Sequence, residues 1–136
     1  MIVIDASVLV DALVGVDAVA DEARGRLTDD RDLHVPHLVD MEVTNSIRGL
    51  RIANVIDETR AVSAIDDLQQ LDLSRYPHGP LLRRVWELRG NLTAYDAVYV
   101  ALAEALETVL VTCDARITRA PGLRCDVQLL GAAGQR

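Results

Sequence analysis

The shortest apolar runs in this chain constrain its fold most tightly. Ile2-Val3-Ile4 is a run of three β-branched residues that meets Asp5 at once, and residues 109–112 (Val-Leu-Val-Thr) repeat the pattern late in the chain. Runs this short, without alternation, read as strands buried on both faces, the situation inside a parallel sheet. Helical periodicity fills the intervals, over 8–14, 17–27, 37–51, 56–71, 81–88 and 93–106. Further short strands are expected over 33–35, at an edge over 71–73, and over 127–130. Strands alternating with helices predict βαβ units. The expected architecture is therefore α/β: one domain over 1–130, with a short central parallel β-sheet flanked by helices on both faces. Residues 131–136 read as a flexible C-terminal tail.

Composition narrows the function. The 136 residues are 50% hydrophobic and 26% charged, a globular balance for one domain. With one Trp, three Tyr and no Phe, the core must be Val, Leu, Ile and Ala, and an aromatic stacking platform for single-stranded nucleic acid is disfavoured. All fourteen basic residues are Arg, which removes Schiff-base lysines and the P-loop lysine. A net charge of −7 argues against a sequence-independent nucleic-acid coat unless bound cations cancel part of it. Cys113 and Cys125 are too few for a disulfide framework and read as buried small residues. No signal peptide or membrane-spanning run is apparent, so a cytoplasmic protein without membrane contact is expected.

Four acids resist a purely structural reading. Asp5 follows the first strand and Asp114 follows the 109–112 strand by two residues. Open parallel sheets bind ligands at these carboxyl ends, although each Asp also suits a helix N-cap. On a helical wheel starting at Leu38, Glu42 falls at about 40°, inside an arc that runs from Leu38 through Val39, Leu50 and Val43 to Ile47. Asp96 sits in the first turn of the 93–106 helix, which is apolar nearly all round; Thr93-x-x-Asp96 also resembles a capping box. If the four converge to about 5 Å at an effective dielectric near 20, each ionised pair repels by roughly 3 kcal/mol. Six such pairs would exceed the stability of a small domain, so protons or divalent cations must intervene. An all-carboxylate site selects a hard cation, Mg²⁺ or Mn²⁺, over zinc. Two such ions would take −7 to about −3, reconciling an acidic chain with a polyanionic substrate.

Four segments carry a family resemblance. They are Asp5-x-Ser7; Pro36 followed by Glu42-x-x-Asn45-x-Ile47-Arg48; and Asn91-x-Thr93-x-Tyr95-Asp96-Ala97-x-Tyr99-x-Ala101-x-Ala103-Glu104 together with Leu110-Val111-Thr112-Cys113-Asp114. Together they resemble the PIN domain, and the length is similar to the toxin of a VapBC toxin–antitoxin pair. The resemblance spans Ile2 to about Leu130, though 52–88 carries no motif of its own. It implies a metal-dependent endoribonuclease toxin that hydrolyses RNA phosphodiester bonds through metal-activated water. It also implies a homodimer held inactive by a small antitoxin protein. Asp5, Glu42, Asp96 and Asp114 would be the catalytic, metal-holding acids for one or two Mg²⁺ (or Mn²⁺), with Asp5 and Asp96 as direct ligands. Ser7, Asn45 and Thr112 would support them by hydrogen bonds.

Arg48, Arg51, Arg83, Arg84, Arg89, Arg116 and Arg119 are candidate RNA contacts, with Arg116 and Arg119 favoured because they follow Asp114. His34, His37 and His78 read as surface or loop residues, and Trp86 as packing. Segments 37–51 and 56–71 could form a groove for an antitoxin helix. Two alternatives stand beside this reading. An aspartyl-phosphate phosphohydrolase would want a second Asp where the chain has Ser7, and a Lys that it lacks. A non-catalytic acidic metal- or partner-binding module would keep the acids but leave RNA intact.

Overall fold

In the computed structural model, which describes residues 1–131, Ile2–Ile4 forms β1 with all three residues buried. The chain continues through α1 (Ala6–Val14), α2 (Ala18–Asp29), β2 (Leu33–Pro36), α3 (Leu38–Ile52), α4 (Glu58–Gln70) and β3 (Leu73–Tyr76). A 3-10 turn over Gly79–Leu81 leads to α5 (Leu82–Glu87), α6 (Ala94–Ala105), β4 (Leu110–Thr112), α7 (Ala115–Arg119) and β5 (Val127–Leu129). The strands form one parallel sheet in the order β3-β2-β1-β4-β5. The direction of winding reverses between β1 and β4, which makes their carboxyl ends the switch point where ligands bind in open sheets. Val3 pairs with Leu110 and Ile4 with Val111. That register brings Asp5, just past β1, level with Thr112 at the end of β4.

Helices α1, α2, α3 and α4 pack on one another, α5 packs on α6, and α6 lies against β1, β2 and β4. Every residue of α6 from Ala97 to Ala103 is buried, as its apolar circumference predicts. The core is aliphatic, with Val3, Ile4, Val8, Leu9, Val35, Val39, Val43 and Leu110 fully enclosed. No helix among the described residues is long and apolar enough to cross a membrane.

Several expectations need correction. Helix α1 starts two residues earlier than its apolar period, because Asp5 caps it. Helix α4 starts at Glu58 because the Asp57 carboxylate accepts from the Arg60 N–H. The edge strand is Leu73–Tyr76, not 71–73: Leu71 ends α4, and β3, in which only Leu73 is buried, pairs with β2. His34 is not a surface residue. It is buried in β2, with Nε2 2.7 Å from Asp32 Oδ1 and Nδ1 2.6 Å from the Tyr76 hydroxyl, so both ring nitrogens are satisfied. His78 is half-buried and its Nε2 accepts from the Leu38 N–H. Trp86 does not fill the core; it is 66% exposed and Arg89 lies over its ring at 4.4 Å. Val62 is likewise exposed, and Cys113 and Cys125 are half-buried free thiols. Of the expected tail, Gly131 donates its N–H to Glu22 Oε2, and 132–136 lie outside the described residues.

Candidate active site

Four acids from four parts of the chain border one cavity of about 280 Å³, together with Ala6, Ser7, Asn45, Ser46 and Tyr99. Asp5 comes from the end of β1, Glu42 from the second turn of α3, Asp96 from the first turn of α6, and Asp114 from the turn after β4. The capping readings are correct: Asp5 accepts from the N–H groups of Ser7 and Val8, and Asp114 from that of Arg116. A cap at a strand end fixes a carboxylate where the sheet opens, so capping is compatible with a ligand-binding role.

Asp5 is the most enclosed of the four, at 6% exposure. Burial raises its carboxyl above the usual range, and hydrogen bonds from Ser7, Thr112 and the Val8 and Ser7 N–H groups offset part of that rise. Oδ1 takes the Ser7 and Val8 donors, while Oδ2 accepts from the Thr112 hydroxyl and keeps a lone pair for the cavity. The same Thr112 oxygen accepts from the Asp114 N–H at 2.9 Å, so one hydroxyl bridges two of the acids. Ser7 Oγ in turn accepts from the Cys113 N–H at 3.0 Å. Ser7 and Thr112 thus both hydrogen-bond to Asp5, and Asn45 borders the cavity from an exposed position.

Glu42 sits at the margin of α3's apolar stripe, not inside it: Val39, Val43 and Ile47 are buried, Leu38, Glu42 and Leu50 only partly. Burial, then the charges of Asp96 and Asp5, raise its carboxyl, opposed by a hydrogen bond from Tyr99. Asp96 is raised by burial and by Asp114, with Arg116 and Thr93 pulling the other way. Asp114 is the exception. Arg116 donates to both its oxygens, from Nη2 at 2.6 Å and Nε at 3.1 and 3.2 Å, and holds it below the usual carboxylate range.

Burial thus pushes three of the four acids toward protonation, neighbouring acids add to the rise at Glu42 and Asp96, and the fourth, Asp114, is paired with Arg116. Among the described residues no three metal-binding side chains are drawn into a closed shell. All-oxygen donors spaced around an open cavity suit Mg²⁺ or Mn²⁺, ions that keep several waters and take one or two carboxylates.

The arginines divide. Arg116 is at the rim, and Arg119 shares its short helix. Arg48 and Arg51 line a different cavity, between α3 and α4, and Arg51 pairs with Glu58. Arg84 is engaged by Glu104, Glu87 and the Gly122 carbonyl. Arg89 covers Trp86; Arg83 is exposed. Tyr99 was missed as a site residue. Its signal was legible, since it stands three residues after Asp96 and so shares that helix face.

A PIN domain family model matches residues 2–123. The chain is 45% identical over 129 residues to Ribonuclease VapC1 of Mycobacterium tuberculosis, covering 94% of this chain and 96% of the relative. It is 40% identical over 130 residues to Ribonuclease VapC9 of the same species, covering 96% and 98%. In fold it is similar to a chain of VapBC2 from Rickettsia felis, crystallised with a DNA fragment from their promoter (TM-score 0.68, 15% identity, 96% and 99% covered). This chain belongs to the PIN-domain family and, within it, to the VapC ribonucleases.

Proposed function

We propose that the chain is a Mg²⁺- or Mn²⁺-dependent endoribonuclease, the toxin of a toxin–antitoxin pair, acting at the acid cavity. The supporting observation is the convergence of Asp5, Glu42, Asp96 and Asp114 from separate elements on one opening. Asp5 and Asp96 would hold one or two ions directly. Glu42 and Asp114 would complete the shell or orient water beside it. When bound, the metal supplies Lewis acidity, acidifying water and offsetting charge on the phosphate.

The chain's own groups do the rest. Thr112 and Ser7 hold the Asp5 carboxyl in place and offset part of the cost that burial puts on its charge. Arg116, 80% exposed at its side chain, is the cation at the rim, and with Arg119 it would draw the RNA backbone over a cavity that otherwise repels it. Reaching a phosphate would release Asp114 from Arg116, giving the metal site its fourth acid.

The α3–α4 groove, about 330 Å³ and lined by Ile47, Ala61, Val62 and Ile65 beside Arg48 and Glu58, suits the amphipathic helix of a small antitoxin protein. A homodimer in the cytoplasm completes the reading.

The test is end-labelled structured RNA incubated with the protein in Mg²⁺ and in Mn²⁺, with a chelator lane and Asp96→Asn. Site-specific cuts that vanish in both controls are expected. Metal uptake with intact RNA would instead identify a binding module, and cuts that survive both controls would deny the site its role.

A further inference from the structure

Within α6 the buried stretch Ala97–Ala103 has a single polar side chain, Tyr99, which is 2% exposed. Its hydroxyl reaches the acid cavity and donates to Glu42 Oε1 at 2.5 Å. The Ala6 N–H also bonds to the phenol, and the bond to Glu42 engages only Oε1 of that carboxylate, leaving Oε2 free of it. The two residues stand on helices that pack chiefly elsewhere, α3 on α1 and α4, α6 on α5 and the strands. The bond therefore ties the acid of α3 to the helix that carries Asp96. Phenylalanine would fill the same space in the core, so packing does not account for the hydroxyl. A buried hydroxyl with a carboxylate acceptor is a charge-assisted bond that fixes both partners.

We propose that Tyr99 is a positioning residue: through its hydroxyl it holds Glu42 in the orientation from which that carboxylate serves the metal. This rests on the metal-nuclease reading above. Glu42 on its own is a three-torsion side chain at the margin of a helix stripe, and without the phenol its carboxylate would spread over several rotamers. Supporting groups of this kind typically change metal affinity by about 10–100-fold.

The test is Tyr99→Phe, which removes one oxygen from an otherwise unchanged core. Mn²⁺ binding is read from the electron paramagnetic resonance of the free ion, without RNA, and cleavage is followed across a Mn²⁺ titration. Affinity should fall about tenfold or more, the half-saturating Mn²⁺ for cleavage should rise by the same factor, and saturating Mn²⁺ should restore most of the rate. In a Glu42→Gln background the same substitution should change affinity by less than about twofold, since the two act as one unit. Should Tyr99→Phe fail to fold, Glu42→Asp draws the carboxylate away from the phenol without touching the core and should weaken Mn²⁺ binding comparably. Wild-type affinity in Tyr99→Phe, or in Glu42→Asp, alongside an active wild-type enzyme would overturn the positioning role alone. So would an equal loss in the Glu42→Gln background. A wild-type protein that neither binds Mn²⁺ nor cuts RNA would overturn the nuclease reading and this role with it.

Discussion

Replacing Thr112 by Val tests how the acids are held, because it preserves side-chain shape and removes the hydroxyl that bridges Asp5 and Asp114. Thr112 is fully buried, so water cannot substitute for it. A hydrogen bond to a charged acceptor contributes about 1.5–3 kcal/mol, and the Asp114 N–H loses its partner in addition. Burying a methyl in place of the hydroxyl returns roughly 1 kcal/mol. The net loss is about 2 kcal/mol, limited by the option open to Asp5 of taking up a proton once a donor is gone. With an unfolding entropy of ~2.1 cal/mol/K per residue over 136 residues, that loss lowers Tm by about 7 °C. The assay is thermal unfolding with chelator at neutral pH, comparing Thr112→Val with Thr112→Ser. Ser keeps the donor and gives up a methyl, costing about 1 kcal/mol, so it should melt above Val. If Val melts at the wild-type temperature while Ser is destabilised, packing decides this site and the hydrogen-bond argument is wrong.

Other elements make separate predictions. Hydrogen bonds from Arg84 and from the Arg124 N–H outweigh burial and hold Glu104 below the usual carboxylate range, so its contribution is present above the unfolded pKa and is lost as pH falls through the folded one. Glu104→Gln should cost about 2–3 kcal/mol at neutral pH and flatten the acid limb of stability below about pH 4.5, read by urea unfolding across pH. Val62→Glu, on the exposed wall of the α3–α4 groove, should leave RNA cleavage intact and relieve inhibition by the co-expressed antitoxin; unchanged inhibition would place the antitoxin elsewhere. Trp86→Ala should alter stability by no more than about 0.5 kcal/mol because the ring lies outside the core, and a larger loss in a melt would contradict that placement.

The parallel sheet, the central apolar helix and the four acids were legible in the sequence because each leaves a local trace. A strand with both faces buried cannot alternate, a covered helix cannot have a polar side, and a carboxylate at a strand end or near an apolar stripe stands out against its neighbours. Element ends were less legible: Asp5 and Asp57 begin their helices through capping bonds that an apolar period does not register. What the tertiary structure alone decided is how groups distant in the chain share their bonds. His34 could enter the core because Tyr76, 42 residues later, meets its ring across a strand pair. Arg84 is held by Glu104 on another helix. Thr112 became the bridge between Asp5 and Asp114, and Tyr99 the tether of Glu42, through contacts spanning 107 and 57 residues. A sequence displays which groups must find partners when buried; only the packing of strands and helices brings particular partners within hydrogen-bonding distance.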